Sequence, residues 1–209
     1  MQNLAEFRVW DLAFYQLGSN VSKLSTRREW FDLEEFFCHG ISHSLHDART
    51  FSTFSNLVKF IAPILAPFKI KKILASGIVF DRSLLGYYLD IVSESIGKAQ
   101  LKDLYQEFTK ATPRKIYFPH FKPDKRYSIW GKLGQPFAEP MEKFIDKRRL
   151  LSNYHVMRRF AGVKTVFSDV KSFQELNGDQ KISLNEISRR THHDYASVHR
   201  ADHSLKIVS

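Results

Sequence analysis

The amino-acid sequence predicts a mainly α protein, a bundle of helices with a short irregular or β segment near residues 113–137. Apolar residues recur at helical spacing along most of the 209-residue chain. Apolar side chains make up 43% of the chain and aromatic ones 14%, which is enough to form a buried core. Between residues 113 and 137 the helical pattern gives way to prolines, glycines, aromatic residues and bases, which are typical of an extended arm or a short β-ribbon.

Helix start and stop signals divide the first half of the chain into segments. Residues 2–17 are predicted to form an amphipathic helix that stops at Gly18. The sequence from Thr26 to Glu29 is a capping box, in which a hydroxyl and a carboxylate each bind a free backbone N–H, and it predicts a second helix that ends near Gly40. The remaining segments are a helix at 53–62, a helix or strand at 70–76, a helix from an Asp81 N-cap to about Ser93, and a helical stretch at 98–110.

The chain is strongly basic, with 32 Lys and Arg against 22 Asp and Glu and a formal net charge of +10. The segment from Lys110 to Phe160 alone has 13 Lys and Arg against 4 Asp and Glu. This concentration predicts a polyanionic partner, most often nucleic acid, whereas a generally basic surface is the alternative. The single cysteine, Cys38, cannot form an internal disulfide. The sequence also lacks a basic leader and an apolar run of membrane length, so we expect a cytoplasmic protein with no membrane partner.

The second half of the chain ends in a series of capped helices. A long basic helix is predicted at 140–161, running into Gly162, and three more helices begin at Ser168, Ser183 and Asp194. Ser183 and Glu186 form a capping box, and Asp194 is the type of residue that accepts a hydrogen bond from the first turn of a helix.

The last two of these helices are joined by the short turn Thr191–Asp194. Val198 follows Ser188 at a spacing that packs a small residue of one helix against a branched apolar residue of the next. The pattern resembles the helix-turn-helix family over residues 183–205, with His192 at the turn position that usually holds glycine. The resemblance implies that the last helix enters the major groove of DNA. A plain helical hairpin within an all-α core is the alternative.

A second candidate helix-turn-helix unit lies at 87–108. There, Leu89, Val92 and Ile96 are expected to pack against Leu101 and Leu104. The run "LKDLYQEF" followed by "TPRKIYFP" resembles the DNA-binding half of FlhC, a bacterial flagellar transcription activator, over residues 87–120. FlhC ends in a cysteine-ligated zinc site, which this chain, with Cys38 alone, does not share.

We therefore expect double-stranded DNA as the partner and sequence-specific transcription regulation as the function, without catalysis, cofactor or bound metal. Residues 1–76 are interpreted as an N-terminal helical region and residues 77–209 as the DNA-binding region. Base contacts are expected from Tyr195, Ser197, His199 and Arg200, and the histidines His192, His193, His199 and His203 are interpreted as donors facing DNA. Phosphate contacts are expected from Lys115, Lys122, Lys125, Arg126, Arg148, Arg149, Arg158 and Arg159. The sequence leaves open whether the chain also pairs with a second copy or with another protein.

Other functions are compatible with parts of the sequence. Glu175–Glu186 resembles an EF-hand calcium loop, but Gln180 stands where the sharp turn needs glycine, so we expect no calcium there. The aromatic and basic segment 115–130 fits a binder of single strands or RNA. A replication or mobilisation protein of a mobile element would use the same helix-turn-helix units. A metal-dependent enzyme would use the cluster formed by Cys38, His39, His43 and His46.

Overall fold

The protein is mainly helical, which confirms the predicted fold class. A computed structural model describes residues 30, 32–44, 48–78, 80–109, 127–129, 136–138, 154–178 and 180–208. Two short strands, β1 (Tyr127–Ile129) and β2 (Pro136–Ala138), pair antiparallel with Tyr127 opposite Ala138, in the part of the chain where a β segment is predicted. No helix within the described ranges is both long and apolar enough to cross a membrane.

The chain divides into two compact units. The central unit is Glu35–Ile145, and the terminal unit combines Met1–Glu34 with Asp146–Ser209. The predicted regions 1–76 and 77–209 do not coincide with these units. The terminal unit is built from both ends of the chain, and a linear pattern of residues does not reveal such a pairing.

The central unit contains five helices among its described residues. They are α1 (Leu33–His43), which begins in the terminal unit, α2 (Ala48–Ile61), α3 (Pro67–Ala75), α4 (Arg82–Ile96) and α5 (Lys102–Phe108), with 3₁₀ turns at Ala62–Ile64 and Lys98–Leu101. Asp81 caps α4 as predicted, since its Oδ1 accepts a hydrogen bond from the Leu84 N–H at 3.2 Å. The segment 70–76, predicted as helix or strand, is helical up to Ala75.

The predicted start of the second helix is wrong. Trp30 and Asp32 are not helical, and α1 begins at Leu33, where Asp32 Oδ1 accepts a hydrogen bond from the Glu34 N–H at 3.0 Å. The capping-box residues 26–29 and the predicted helix at 2–17 lie outside the described residues. The non-helical residues Trp30 and Asp32 contribute side chains to the terminal unit.

The core of the central unit is aromatic. Phe37, Phe51, Phe54 and Tyr88 are fully buried, and the Phe54 and Tyr88 rings meet edge to face with centroids 5.0 Å apart. Gly40 was predicted to end α1, but the helix continues through it to His43. A Cβ atom at Gly40 would lie 2.1 Å from the Phe54 ring, so glycine is needed there for close packing and not as a helix stop.

The terminal unit contains four helices among its described residues: α6 (Tyr154–Phe160), α7 (Thr165–Asn177), α8 (Leu184–Thr191) and α9 (Tyr195–Val208). Helix α7 begins three residues before the predicted Ser168, whose hydroxyl is buried and donates to the His155 carbonyl at 3.1 Å. The apolar core is shared by α7, α8 and α9 and consists of Val170, Phe173, Ile187, Val198 and Ala201. This core holds α7, α8 and α9 together.

Candidate nucleic-acid interface

Helices α8 and α9 form the predicted pair of helices joined by a tight turn. Ile187 of α8 and Val198 and Ala201 of α9 are buried against α7, and Leu205 is partly buried on the same side. The inner faces of both helices are therefore the ones predicted from the apolar spacing. The exposed residues among the described part of α9 are Tyr195, Ala196, His199, Arg200, His203 and Lys206.

The turn between α8 and α9 has the conformation that the helix-turn-helix resemblance implies. His192 has φ +57° and ψ +19°, and among the described non-glycine residues it alone has a positive φ. This left-handed conformation is strained for most side chains but tolerated by histidine. Ser188 closes the turn, since its hydroxyl donates to the His193 carbonyl at 2.7 Å.

Both helices of the pair have the side-chain caps that the sequence predicts. Ser183 Oγ accepts from the Glu186 N–H at 3.2 Å, and Asp194 Oδ1 accepts from the Ser197 N–H at 2.8 Å. The hydroxyl and the N–H of Ser197 lower the pKa of Asp194, and Arg200 contributes to the same shift. The N-terminus of α9 is thus held by an exposed, ionised cap.

The four residues predicted to contact bases lie at or near the start of α9. Tyr195, His199 and Arg200 are exposed and Ser197 is half-buried, while Val198 between them is fully buried. The rings of Tyr195 and His199 lie 6.2 Å apart on adjacent turns. Arg200 Nη2 lies 3.4 Å from Ser197 Oγ. Near the start of α9, the ring of Tyr195 therefore lies beside the imidazole of His199, and the guanidinium of Arg200 lies beside the hydroxyl of Ser197. Guanidinium and hydroxyl groups are among those that read base edges.

A buried charge cluster lies beneath this helix pair, and we refer to it as the Asp169 cluster: Asp32, Glu34, His155, Arg159, Asp169 and His193. The Arg159 guanidinium is enclosed by two carboxylates. It donates to Glu34 Oε1 at 2.5 Å and Oε2 at 3.1 Å, and to Asp169 Oδ1 at 2.8 Å and Oδ2 at 3.0 Å. Burial alone would lower the pKa of Arg159, but the charges of Asp169 and Glu34 outweigh it and raise that pKa.

Asp169 also binds two histidines. His155 Nε2 lies 2.6 Å from Asp169 Oδ1, and His193 Nε2 lies 2.8 Å from Asp169 Oδ2. Because an ionised carboxylate only accepts hydrogen bonds, each Nε2 is the donor. His193 is buried in this contact, so the expectation that it faces DNA is wrong; it holds the turn onto α7.

Trp30 joins the terminal unit from the other end of the chain. Its ring stacks on His155 with centroids 4.9 Å apart and meets Phe173 edge to face at 5.5 Å. The indole Nε1 donates to the Arg190 carbonyl at 3.1 Å. Arg190 is in the last turn of α8, so Trp30 binds one of the carbonyls that a helix end leaves without an internal partner.

Of the eight residues predicted to bind phosphate, the structure describes two, Arg158 and Arg159. Arg159 is 5% exposed and is held between two carboxylates, so the prediction that it contacts phosphate is wrong in this fold. Arg158 is partly buried and donates to both carboxylate oxygens of Glu175 at 2.7 and 2.8 Å and to Ser172 Oγ at 2.8 Å. The other six predicted residues lie outside the described ranges: Lys115, Lys122, Lys125, Arg126, Arg148 and Arg149.

The second candidate pair, α4 and α5, has the predicted interior and a different exterior. Leu89, Val92, Leu101 and Leu104 are buried, with Gly97 at φ +84° between the helices. The exposed side of α5 is bound by a lysine of α3: Lys71 Nζ lies 2.5 Å from Glu107 and 3.4 Å from Asp103. Acidic side chains on the second helix of a pair repel phosphate, so this surface is poorly suited to DNA.

Two of the candidate calcium ligands, Glu175 and Asn177, are engaged with protein groups. Glu175 lies within α7 and binds Arg158, and Asn177 Nδ2 donates to the Phe173 carbonyl at 2.7 Å. Helix α7 ends at Asn177 and is followed by Gly178 at φ +57°, the helix end and turn predicted as the alternative to a calcium loop. These contacts support a structural role for Glu175–Glu186.

The predicted Cys and His cluster is spread around α1. Cys38 is fully buried, whereas His39 is half exposed beside Glu35, with Nε2 to Oε1 at 4.0 Å; His46 is outside the described residues. Among described residues, the acidic oxygens of Asp32, Glu34 and Asp169 lie within 4.8 Å of one another. The Arg159 guanidinium already supplies a cation to two of those carboxylates.

The sequence contained a signal for the Asp169 cluster that its apolar pattern concealed. Asp169 occupies the buried side of α7 together with Val170 and Phe173, at helical spacing. His155 and Arg159 are four residues apart and both buried on α6. Charged residues at core positions of two neighbouring helices require mutual partners, and that requirement points to an ion pair.

The chain was compared with protein-family models, with curated proteins and with solved structures, and no match was found in any of the three. Its function has to be argued from its own residues.

Proposed function

We propose that the protein is a sequence-specific double-stranded DNA-binding transcription regulator whose recognition helix is α9. The observation that carries this proposal is the start of α9, which is capped by Asp194 and exposes Tyr195, His199 and Arg200, while Val198 of the same helix is buried. Helix-turn-helix proteins insert this end of the second helix into the major groove.

The charges around α9 support the same proposal. Arg189 and Arg190 in the last turn of α8 are exposed, as are Arg200 and Lys206 of α9. Lys206 is paired with Asp202 at 2.8 Å, and Asp194 and Glu186 are also exposed on the two helices. Arg189, Arg190 and Arg200 leave a net positive charge where a phosphate backbone would run beside a groove-bound helix.

The decisive experiment substitutes the recognition helix and measures binding to a selected duplex and to random duplexes. If Arg200 binds a base, Arg200→Ala weakens binding to the preferred site by about 1–3 kcal/mol and relaxes discrimination at one base pair. If Arg200 binds a phosphate, affinity falls equally for all duplexes. Lys102→Ala, at the start of α5, is the matched control. It is expected to leave both the affinity and the discrimination between duplexes unchanged.

The proposal fails if Arg200→Ala and Ser197→Ala both leave affinity and discrimination at the wild-type level while circular dichroism and melting show an intact fold. The pair α8 and α9 would then not be the part of the chain that reads DNA. Non-specific affinity is assigned to the basic segment 110–160. Neutralising Arg148 and Arg149 together is expected to reduce the slope of log affinity against log salt by up to about two phosphate contacts.

A further inference from the structure

The Asp169 cluster connects the start of α1 to the turn of the helix-turn-helix. The guanidinium of Arg159 uses one edge for Glu34 and the other for Asp169, and Asp169 uses its second oxygen for His193. Glu34 and Arg159 are 125 positions apart in the sequence. The turn before α9 is thus tied, through two planar charged groups, to a residue from the opposite end of the chain.

Each member of this series fixes the orientation of the next. Glu34 binds Arg159 through both carboxylate oxygens, a geometry that sets the plane of the guanidinium. That plane sets the position of Asp169, whose Oδ2 accepts from His193. His193 stands between the left-handed His192 and the cap Asp194, so its position sets the direction in which α9 leaves the turn.

We propose that Glu34 is a positioning residue for DNA recognition: it acts through Arg159 and Asp169 on His193, and so fixes the angle at which α9 presents its base-contacting residues. This inference rests on the proposed function. Buried ion pairs contribute little net stability compared with apolar packing of the same shape, but they tolerate few alternative geometries. A cluster with these properties suits the placing of a recognition helix better than it suits stabilising the core.

The test compares Glu34→Gln with Glu35→Gln. Glutamine preserves the size of the side chain but removes its charge and one acceptor, while Glu35 is the adjacent, half-exposed residue beside His39. At a temperature where melting shows all proteins folded, Glu34→Gln is expected to lower affinity for the preferred duplex by about two- to thirtyfold. Glu35→Gln is expected to bind as the wild type does.

Two further measurements separate positioning from general loss of structure. In hydrogen exchange, Glu34→Gln is expected to accelerate the amides of 192–197 more than those of α7, whereas a purely structural role accelerates both alike. In a double-mutant cycle, Glu34→Gln and His193→Gln are expected to be non-additive in DNA affinity. A parallel cycle combines Glu34→Gln with Ser183→Ala, which removes the cap of α8. The effects of these two substitutions on DNA affinity are expected to be additive within about twofold.

Additivity of Glu34→Gln with His193→Gln, or uniform exchange across α7 and the turn, overturns the inference. If instead the wild-type protein binds no duplex, the proposed function fails, and hydrogen exchange still tests whether Glu34 controls the turn. If Glu34→Gln does not fold, Trp30→Phe removes the neighbouring hydrogen bond to the Arg190 carbonyl without touching the charges. In Trp30→Phe, the hydrogen-exchange rates of the turn relative to those of α7 are expected to equal the wild-type values. Faster exchange confined to the turn would mean that the turn is held by Trp30 and not by Glu34 acting through Arg159.

Discussion

The pair α4 and α5 and the pair α8 and α9 have similar interiors and opposite exteriors. In each, a helix ends at a left-handed residue, Gly97 or His192, and the next helix returns with its apolar side buried. On α5 the exposed charges are Lys102, Asp103 and Glu107, and Glu107 is the main cause of the raised pKa of Lys71. On α9 the exposed surface carries Arg200 and two histidines.

This difference shows that two helix pairs with the same apolar spacing can carry different exposed side chains. Apolar spacing predicts that two helices pack, and it predicts this equally well for both pairs. The choice between a structural pair and a DNA-binding pair depends on the side chains that the packing leaves outside. The same contrast extends inward, because α4 packs on an aromatic core whereas α8 and α9 pack over a buried charge cluster.

The largest expected effect comes from removing the centre of that cluster. Asp169→Asn leaves Arg159 with one carboxylate and deprives His155 and His193 of their charged acceptor. Breaking a buried ion pair from one side costs about 3–5 kcal/mol. We expect the free energy of unfolding of the terminal unit to fall by that amount in urea titrations followed by Trp fluorescence. The control is the exposed ion pair between Lys71 of α3 and Glu107 of α5. Lys71→Met is expected to leave the free energy of unfolding unchanged. An equal loss of stability in both variants would contradict the contrast between the buried and the exposed charges.

The aromatic interior is expected to fail in a different way, by overpacking. Gly40→Ala introduces a Cβ 2.1 Å from the Phe54 ring, which must move, at a cost of about 1–3 kcal/mol. Gly86 of α4 is the matched control, because the nearest described neighbour of a Cβ there is Thr109, at an ordinary 3.8 Å. Gly86→Ala is expected to stabilise the protein by about 0.5–1 kcal/mol, since alanine favours the helix. If both variants melt at a higher temperature than the wild type, or both at a lower one, this description of the packing is contradicted.

The sequence allowed the pair α8 and α9 to be predicted almost residue by residue, because caps, a turn and apolar spacing are local signals. Ser183, Asp194, Val198 and the left-handed His192 all have the predicted roles. The Asp169 cluster could not be predicted in the same way. Its members come from separate segments of the chain. The residues next to Arg159 in the sequence do not show whether its guanidinium is paired with carboxylates or binds phosphate. The prediction that Arg159 contacts phosphate is wrong for this reason.

The division into units was equally hidden, since contacts between Trp30 and Arg190 join positions 160 residues apart. Gly40 illustrates the remaining kind of error. A glycine within a helical pattern predicts an end when only propensity is considered, but here it permits a ring of another helix to approach the backbone. Propensity describes the element itself, whereas its partners are fixed by the tertiary fold.

The smallest expected effect concerns the two helix starts. Asp194 caps α9 with an ionisable side chain, whereas α5 starts at Leu101 without a side-chain cap. The hydrogen bonds from Ser197 lower the pKa of Asp194 below that of an unfolded chain, so its contribution is complete above the unfolded value of about 3.9 and is lost as the pH falls through the lower folded pKa. Asparagine caps a helix without titrating. Asp194→Asn is therefore expected to unfold with a shallower dependence on pH than the wild type between about pH 4 and the folded pKa, measured by chemical denaturation at each pH. Other carboxylates of the terminal unit titrate in both proteins, so the difference between the two curves isolates the cap. Identical curves would mean that Asp194 does not stabilise the start of α9 through its charge.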